Sequence, residues 1–148
     1  MLKKVKIGAI LLILLFFPGQ ILAMEGEEAE IFHINKGKVV RKIPMTKEIS
    51  GEIEKLLKGI DDVYKELKPI PEKGYMIKFP LGEGIPLQNK WFEGTVKEVI
   101  VIFPEYENPH LMFFDQENRA MFFTFNRSAS DLLSKINFIP KPFKEKEK

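Results

Sequence analysis

Val96 to Phe103 is the segment that most narrows the folds open to this chain. It reads Val-Lys-Glu-Val-Ile-Val-Ile-Phe and is wholly apolar over its last five residues. Successive side chains of a strand point to opposite faces. An unbroken apolar run therefore places apolar groups on both faces, as in a strand buried in the middle of a sheet. Pro104 has no amide to donate and closes the run. The chain must then supply further strands, and something to cover them.

The flanking segments read as those partners. Glu30–Ile34 and Lys38–Ile43 lie either side of Asn35-Lys36-Gly37. Asn and Gly tolerate the positive φ of tight hairpins, and the lysine between them points to a three- or four-residue loop. Tyr75–Phe79 reads as a strand, and Pro80, Gly82, Gly84 and Pro86 as a long turn after it. Glu93-Gly94 is a further turn signal. Leu111–Phe114 and Met121–Phe125 flank Asp115–Arg119 and predict a second hairpin. Asp61–Lys68 is ambiguous between helix and strand before Pro69 and Pro71 force extension.

Two segments read as helices. Thr46–Gly59 carries Ile49, Ile53, Leu56, Leu57 and Ile60 at helical spacing. Thr46 can cap the first turn, and Gly59 suits the end. Glu48, Glu52 and Glu54 come early and Lys55 and Lys58 late, which complements the helix dipole. Gly51 argues for a later start. Ser128–Ile136 predicts a short C-terminal helix, with Ser128 and Asp131 approximating a capping box. The expected class is α+β: a mostly antiparallel sheet with one main helix packed on a face and a short C-terminal helix.

The N-terminus carries a different message. Lys3, Lys4 and Lys6 precede the uncharged run Ile7–Phe17, the breakers Pro18-Gly19, and Ala23. A charged start, a short apolar run and a small residue at the exit make a secretory signal. Ile21 is bulky where a cleavage site prefers a small residue, so an uncleaved membrane anchor is the alternative. Spanning a bilayer takes roughly 20 apolar residues, and Ile7–Met24 is marginal for that. Either way the location read from residues 1–23 is extracytoplasmic: released, or held at the outer face of the cytoplasmic membrane.

Subtracting Lys3, Lys4 and Lys6 from 23 Lys+Arg leaves 20 against 21 Asp+Glu. The apparent basicity belongs to the leader, and the remaining balance gives no footprint for nucleic acid. Residues 24–29 read as a flexible acidic lead-in, 30–139 as a single domain, and 140–148 as a charged tail. Thirteen phenylalanines suffice for a core. The absence of cysteine excludes a disulfide frame, thiol catalysis and thiolate metal sites.

Chemistry is thinly represented. Only His33 and His110 exist; His33 falls inside the first strand and His110 at a strand start. No Gly-x-Ser-x-Gly elbow and no phosphate loop is present; Gly82-Glu83-Gly84 reads as a turn. Asp115-x-Glu117-x-Arg119 and Asp61-Asp62 are faint calcium spacings that lack the glycine and distant glutamate of an EF-hand. No catalytic residue, metal ligand or cofactor is expected. The remaining lead is aromatic: Trp91-Phe92 in a turn-rich region, and Phe113, Phe114, Phe122, Phe123 and Phe125 about the second hairpin. Adjacent phenylalanines must point to opposite faces. Trp91, Phe92, His110, Phe114 and Phe123 are the candidate contact residues.

The lysine-rich leader with a compact body resembles uncharacterised small exported proteins of Gram-positive bacteria. Gly74-Tyr75-Met76-Ile77, Phe103-Pro104-Glu105 and Phe113-Phe114-Asp115 carry that resemblance, which implies no activity and no site. The reading is a non-enzymatic binding or accessory domain with a protein partner at the cell envelope. Two alternatives stand beside it. One is an exported hydrolase of wall or peptide, using His110 with Asp115 or Glu117. The other is a self-associating structural protein with Leu111–Phe114 as its exposed edge.

Overall fold

The computed structural model describes residues 26–141. The leader read in 1–23, the start of the acidic lead-in and the tail from 142 lie outside the described residues. In chain order the elements are β1 (Glu28–His33), β2 (Lys38–Pro44), α1 (Lys47–Lys58), β3 (Ile60–Val63) and β4 (Gly74–Gln88), followed by β5 (Glu93–Pro104), β6 (His110–Phe114), β7 (Ala120–Phe125) and α2 (Ser130–Lys135). The seven strands form one sheet in the order β2-β1-β4-β5-β6-β7-β3. Every pairing is antiparallel. The class is α+β, as the patterning implies.

β5 is the fourth of seven strands. Val99, Val101 and Phe103 face the helices, in register with Ile77 of β4 and Leu111 of β6. Ile100 and Ile102 face the opposite side, and Ile102 is fully buried there. Helix α1 leaves edge strand β2, crosses the helix-side face and enters the other edge strand, β3. Its stripe Ile49, Ile53, Leu56 and Leu57 packs into one core with Phe79, Phe113, Phe123 and Phe125. α2 adds Leu132 and Leu133 to the same core. The Thr46 hydroxyl accepts from the Ile49 amide at 3.2 Å, which satisfies one orphan donor of the first turn. Gly51 lies inside the helix, so its entropic cost is outweighed by the packing of the stripe around it.

Several expectations need correcting. The Pro80–Pro86 run is not a turn; it lies inside the 15-residue β4. Pro80 pairs with Glu98 and Ile85 with Val96, so Leu81–Gly84 bulge out opposite Lys97 alone. Gly82 and Gly84 take φ of 59° and 100°, the left-handed region that suits glycine. Pairing with β5 resumes on both sides of the bulge, which sequence punctuation cannot reveal. Glu93-Gly94 likewise belongs to β5, and the turn is Asn89–Phe92 before it. The ambiguous segment opens as strand β3, which pairs with β7. Glu28 and Ala29, read as the end of a flexible lead-in, are paired in β1. α2 begins at Ser130 with no side-chain cap, and the Ser128 hydroxyl instead accepts from the Ser130 amide. Leu111–Phe114 is no edge, since β6 sits between β5 and β7; the edges are β2 and β3.

The phenylalanine pairs split across the sheet as required. Phe113 is fully buried against Phe92 and Phe123, with ring centroids 4.9 and 5.2 Å away. Phe114 is 44% exposed on the other face. Truncating Phe113 to alanine is expected to cost about 3–5 kcal/mol in urea unfolding, because it opens a cavity between two rings. Phe114→Ala should cost less than about 1 kcal/mol. Equal losses for the two variants would contradict this assignment of faces.

Candidate functional site

At one end of the sheet two hairpin tips come together. The first is the four-residue turn Asn89–Phe92 between β4 and β5. The Asn89 amide donates to the Phe92 carbonyl at 2.9 Å. The Asn89 side-chain oxygen accepts from the Trp91 and Phe92 amides, both at 2.9 Å. A single side chain thus holds the turn that presents Trp91. Lys90 sits 5.6 Å from the Trp91 ring centroid, within cation–π range.

The second tip is Asp115–Arg119 between β6 and β7. Asp115 Oδ1 accepts from the Glu117 amide at 2.9 Å and from the Arg119 amide at 2.8 Å. Its Oδ2 takes the Arg119 Nε at 2.7 Å. Asn118 completes the loop at φ 59°, a conformation asparagine tolerates. The Arg119 amide chiefly holds the Asp115 carboxyl below the usual carboxylate range, and the Arg119 guanidinium adds to it. Both carboxylate oxygens therefore serve the loop, which explains the calcium-like spacing without a cation.

The two tips enclose a hollow of about 260 Å³. Trp91, Phe92 and Met121 supply apolar surface, and Glu93, Gln116 and Arg119 a polar rim. Sequence reasoning named Trp91 but did not join it to the Asp115 loop. The signal lay in two hairpins whose tips end on the same side of the sheet, and it needs strand order to be read.

The remaining candidates scatter. Phe92 is only 8% exposed and Phe123 not at all, so both are core side chains and the expected contact role is corrected for them. Phe114 stands on the face away from the helices. His33 ends β1, edge-on to Tyr75 at 4.6 Å, with its Nδ1 accepting from the Lys36 amide.

His110 opens β6 at the opposite end of the sheet from Asp115. Five residue steps of strand rise separate them by roughly 16 Å, so the expected hydrolytic pairing of His110 with Asp115 or Glu117 does not form. The His110 ring is 1% exposed and stacks on Tyr64 at 4.0 Å between centroids. Its Nε2 lies 2.6 Å from the Pro69 carbonyl. A carbonyl only accepts, so Nε2 carries the proton and Nδ1 is a bare acceptor. Nδ1 makes no hydrogen bond of ordinary geometry. Burial pushes the His110 pKa down, partly opposed by the Pro69 carbonyl and the Asn108 backbone.

No family model, curated protein or solved structure matches this chain.

The depressed His110 pKa has a thermodynamic consequence. The unfolded chain takes up this proton near the ordinary value of 6.5, while the folded chain resists it. The contribution of the neutral ring is complete above that value and is lost as pH falls towards the folded pKa. The thermal midpoint should therefore drop between about pH 7 and pH 5, before most carboxylates titrate. His110→Gln keeps a donor for Pro69 but cannot titrate, and should flatten that dependence. An unchanged slope in the variant would assign the effect elsewhere.

Proposed function

We propose that this chain is a non-enzymatic binding module working outside the cytoplasm, and that it grips a protein partner with the Trp91 end of its sheet. The convergence of the Asn89–Phe92 turn and the Asp115–Arg119 loop on one hollow carries this reading. Each tip is held by backbone amides that donate to a single side-chain oxygen, of Asn89 or of Asp115. Pre-ordered loops lose little freedom on binding, which leaves more of the contact energy as affinity. Tryptophan and arginine are also the residues that most often dominate protein interfaces. At about 260 Å³ the hollow is below the roughly 300–1,000 Å³ of ligand pockets, and suits one or two side chains of a partner.

The location rests on the lysine-led apolar segment and Ala23. Among the described residues no helix is long and apolar enough to cross a membrane. Attachment, where it occurs, falls to Ile7–Phe17.

A photoreactive residue at Gln116 tests the contact in the native host. It is expected to give a discrete protein adduct that Trp91→Ala reduces at least about fivefold. The same probe at Lys58, on the exposed side of α1, should give none. The melting temperature of Trp91→Ala should stay within a few degrees of wild type. A lost thermal transition would make Trp91 a core residue, and an adduct indifferent to Trp91 would remove the site.

Intact mass after separating membrane from medium tests the location. A chain starting near Met24 in the medium marks a released factor, and a full-length chain in the membrane marks an anchored one. Full-length protein in the cytosol alone would overturn the extracytoplasmic reading.

A further inference from the structure

The other end of the sheet holds a larger cavity of about 790 Å³, within the size range of small-molecule sites. The loop after β3 forms one wall and the loop between β5 and β6 the other. The β3 loop is tied down by the Tyr64 amide on the Phe122 carbonyl at 2.9 Å and by the Pro69 carbonyl on His110. We infer that this cavity binds a small organic cation, a primary ammonium on an apolar body.

Four observations converge on that chemistry. First, Tyr64 and Tyr106 both line the cavity, and aromatic faces attract cations. Tyr106 is 70% exposed and held at φ 65°, a strained conformation for tyrosine that tends to persist where function requires it. Second, Glu66 and Glu107 line the cavity and form no ion pair among the described residues. Their charge reaches the Tyr64 hydroxyl, whose pKa is raised by burial first and then by Glu107 and Glu66.

Third, Lys68 is the cation among the described lining residues, and it is engaged by Glu72 at 3.3 Å. Two carboxylates against one lysine leave the cavity lining net negative. Fourth, His110 lies almost wholly buried beneath Tyr64 and resists protonation, so it brings no positive charge to the cavity. An ammonium group is a donor only, so the Glu66 and Glu107 carboxylates and the tyrosine oxygens match it. Leu67, fully exposed beside the cavity, offers the apolar body something to cover.

This site is separate from the Trp91 hollow, so either reading can fail alone. Amide-resolved NMR titration with phenethylammonium tests it, with phenylethanol as the uncharged isostere. Phenethylammonium is expected to give saturable shifts at residues 64–68 and 106–110, and phenylethanol to bind at least about tenfold more weakly. Combined Glu66→Gln and Glu107→Gln should weaken the amine about tenfold while leaving the exposed loops folded, as judged by an unchanged spectrum elsewhere. N-acetyl-lysine methylamide distinguishes the source. Tighter binding than phenethylammonium assigns the site to a lysine side chain of a peptide, and weaker binding assigns it to a free amine. Equal binding of phenylethanol, no effect of the two substitutions, or no saturable shift with either amine would overturn the proposal.

Discussion

The burial of β5 on both faces is the constraint on which the rest of the molecule depends. On one face Val99, Val101 and Phe103 require α1 to lie across the sheet. On the other face Ile102 requires cover as well, and among the described residues no helix lies there to give it. The chain solves this by folding the loop after β3 back over that end, where Tyr64 and Pro69 meet His110. A buried histidine with one unsatisfied nitrogen is tolerable there only while it stays neutral.

Long paired strands then separate the two candidate sites. β5 alone spans roughly 40 Å at strand rise. One end terminates in tips fixed by their own asparagine and aspartate, which gives a small rigid hollow. The other terminates in long loops that carry exposed apolar and acidic side chains, which gives a roomy charged cavity. The sheet edges are managed separately. β2 leaves Val39 and Val40 exposed, yet Lys38, Arg41, Lys42 and Pro44 stud the same strand. Charges and proline of this kind discourage edge-to-edge pairing. β3 is only four residues long and offers little edge to pair.

Much of the fold was legible because its signals are local. The helical stripe from Ile49 to Leu57, the threonine cap and the run before Pro104 each speak within a dozen residues. The Pro80–Pro86 segment was misread because glycine and proline punctuate bulges and turns alike. Only the partner strand distinguishes them, through pairing that resumes at Ile85. The candidate site was half legible. Trp91 stood out by residue type, but Phe92 and Phe123 could not be sorted from exposed aromatics without knowing which face α1 covers. The Tyr64 cavity was not legible at all, since its lining comes from segments some forty residues apart.

By itself the sequence determined the class of fold, the central place of β5, the cap and stripe of the main helix, and the absence of thiol chemistry. Those follow from side-chain periodicity and composition, which act over one or two turns of chain. Tertiary structure alone decided the strand order, the burial of Phe92 beside a partly buried Trp91, and the separation of His110 from Asp115. It also decided the meeting of Trp91 with the Asp115 loop. Those depend on which strands pair, and pairing is settled by the joint burial of the sheet against its two helices.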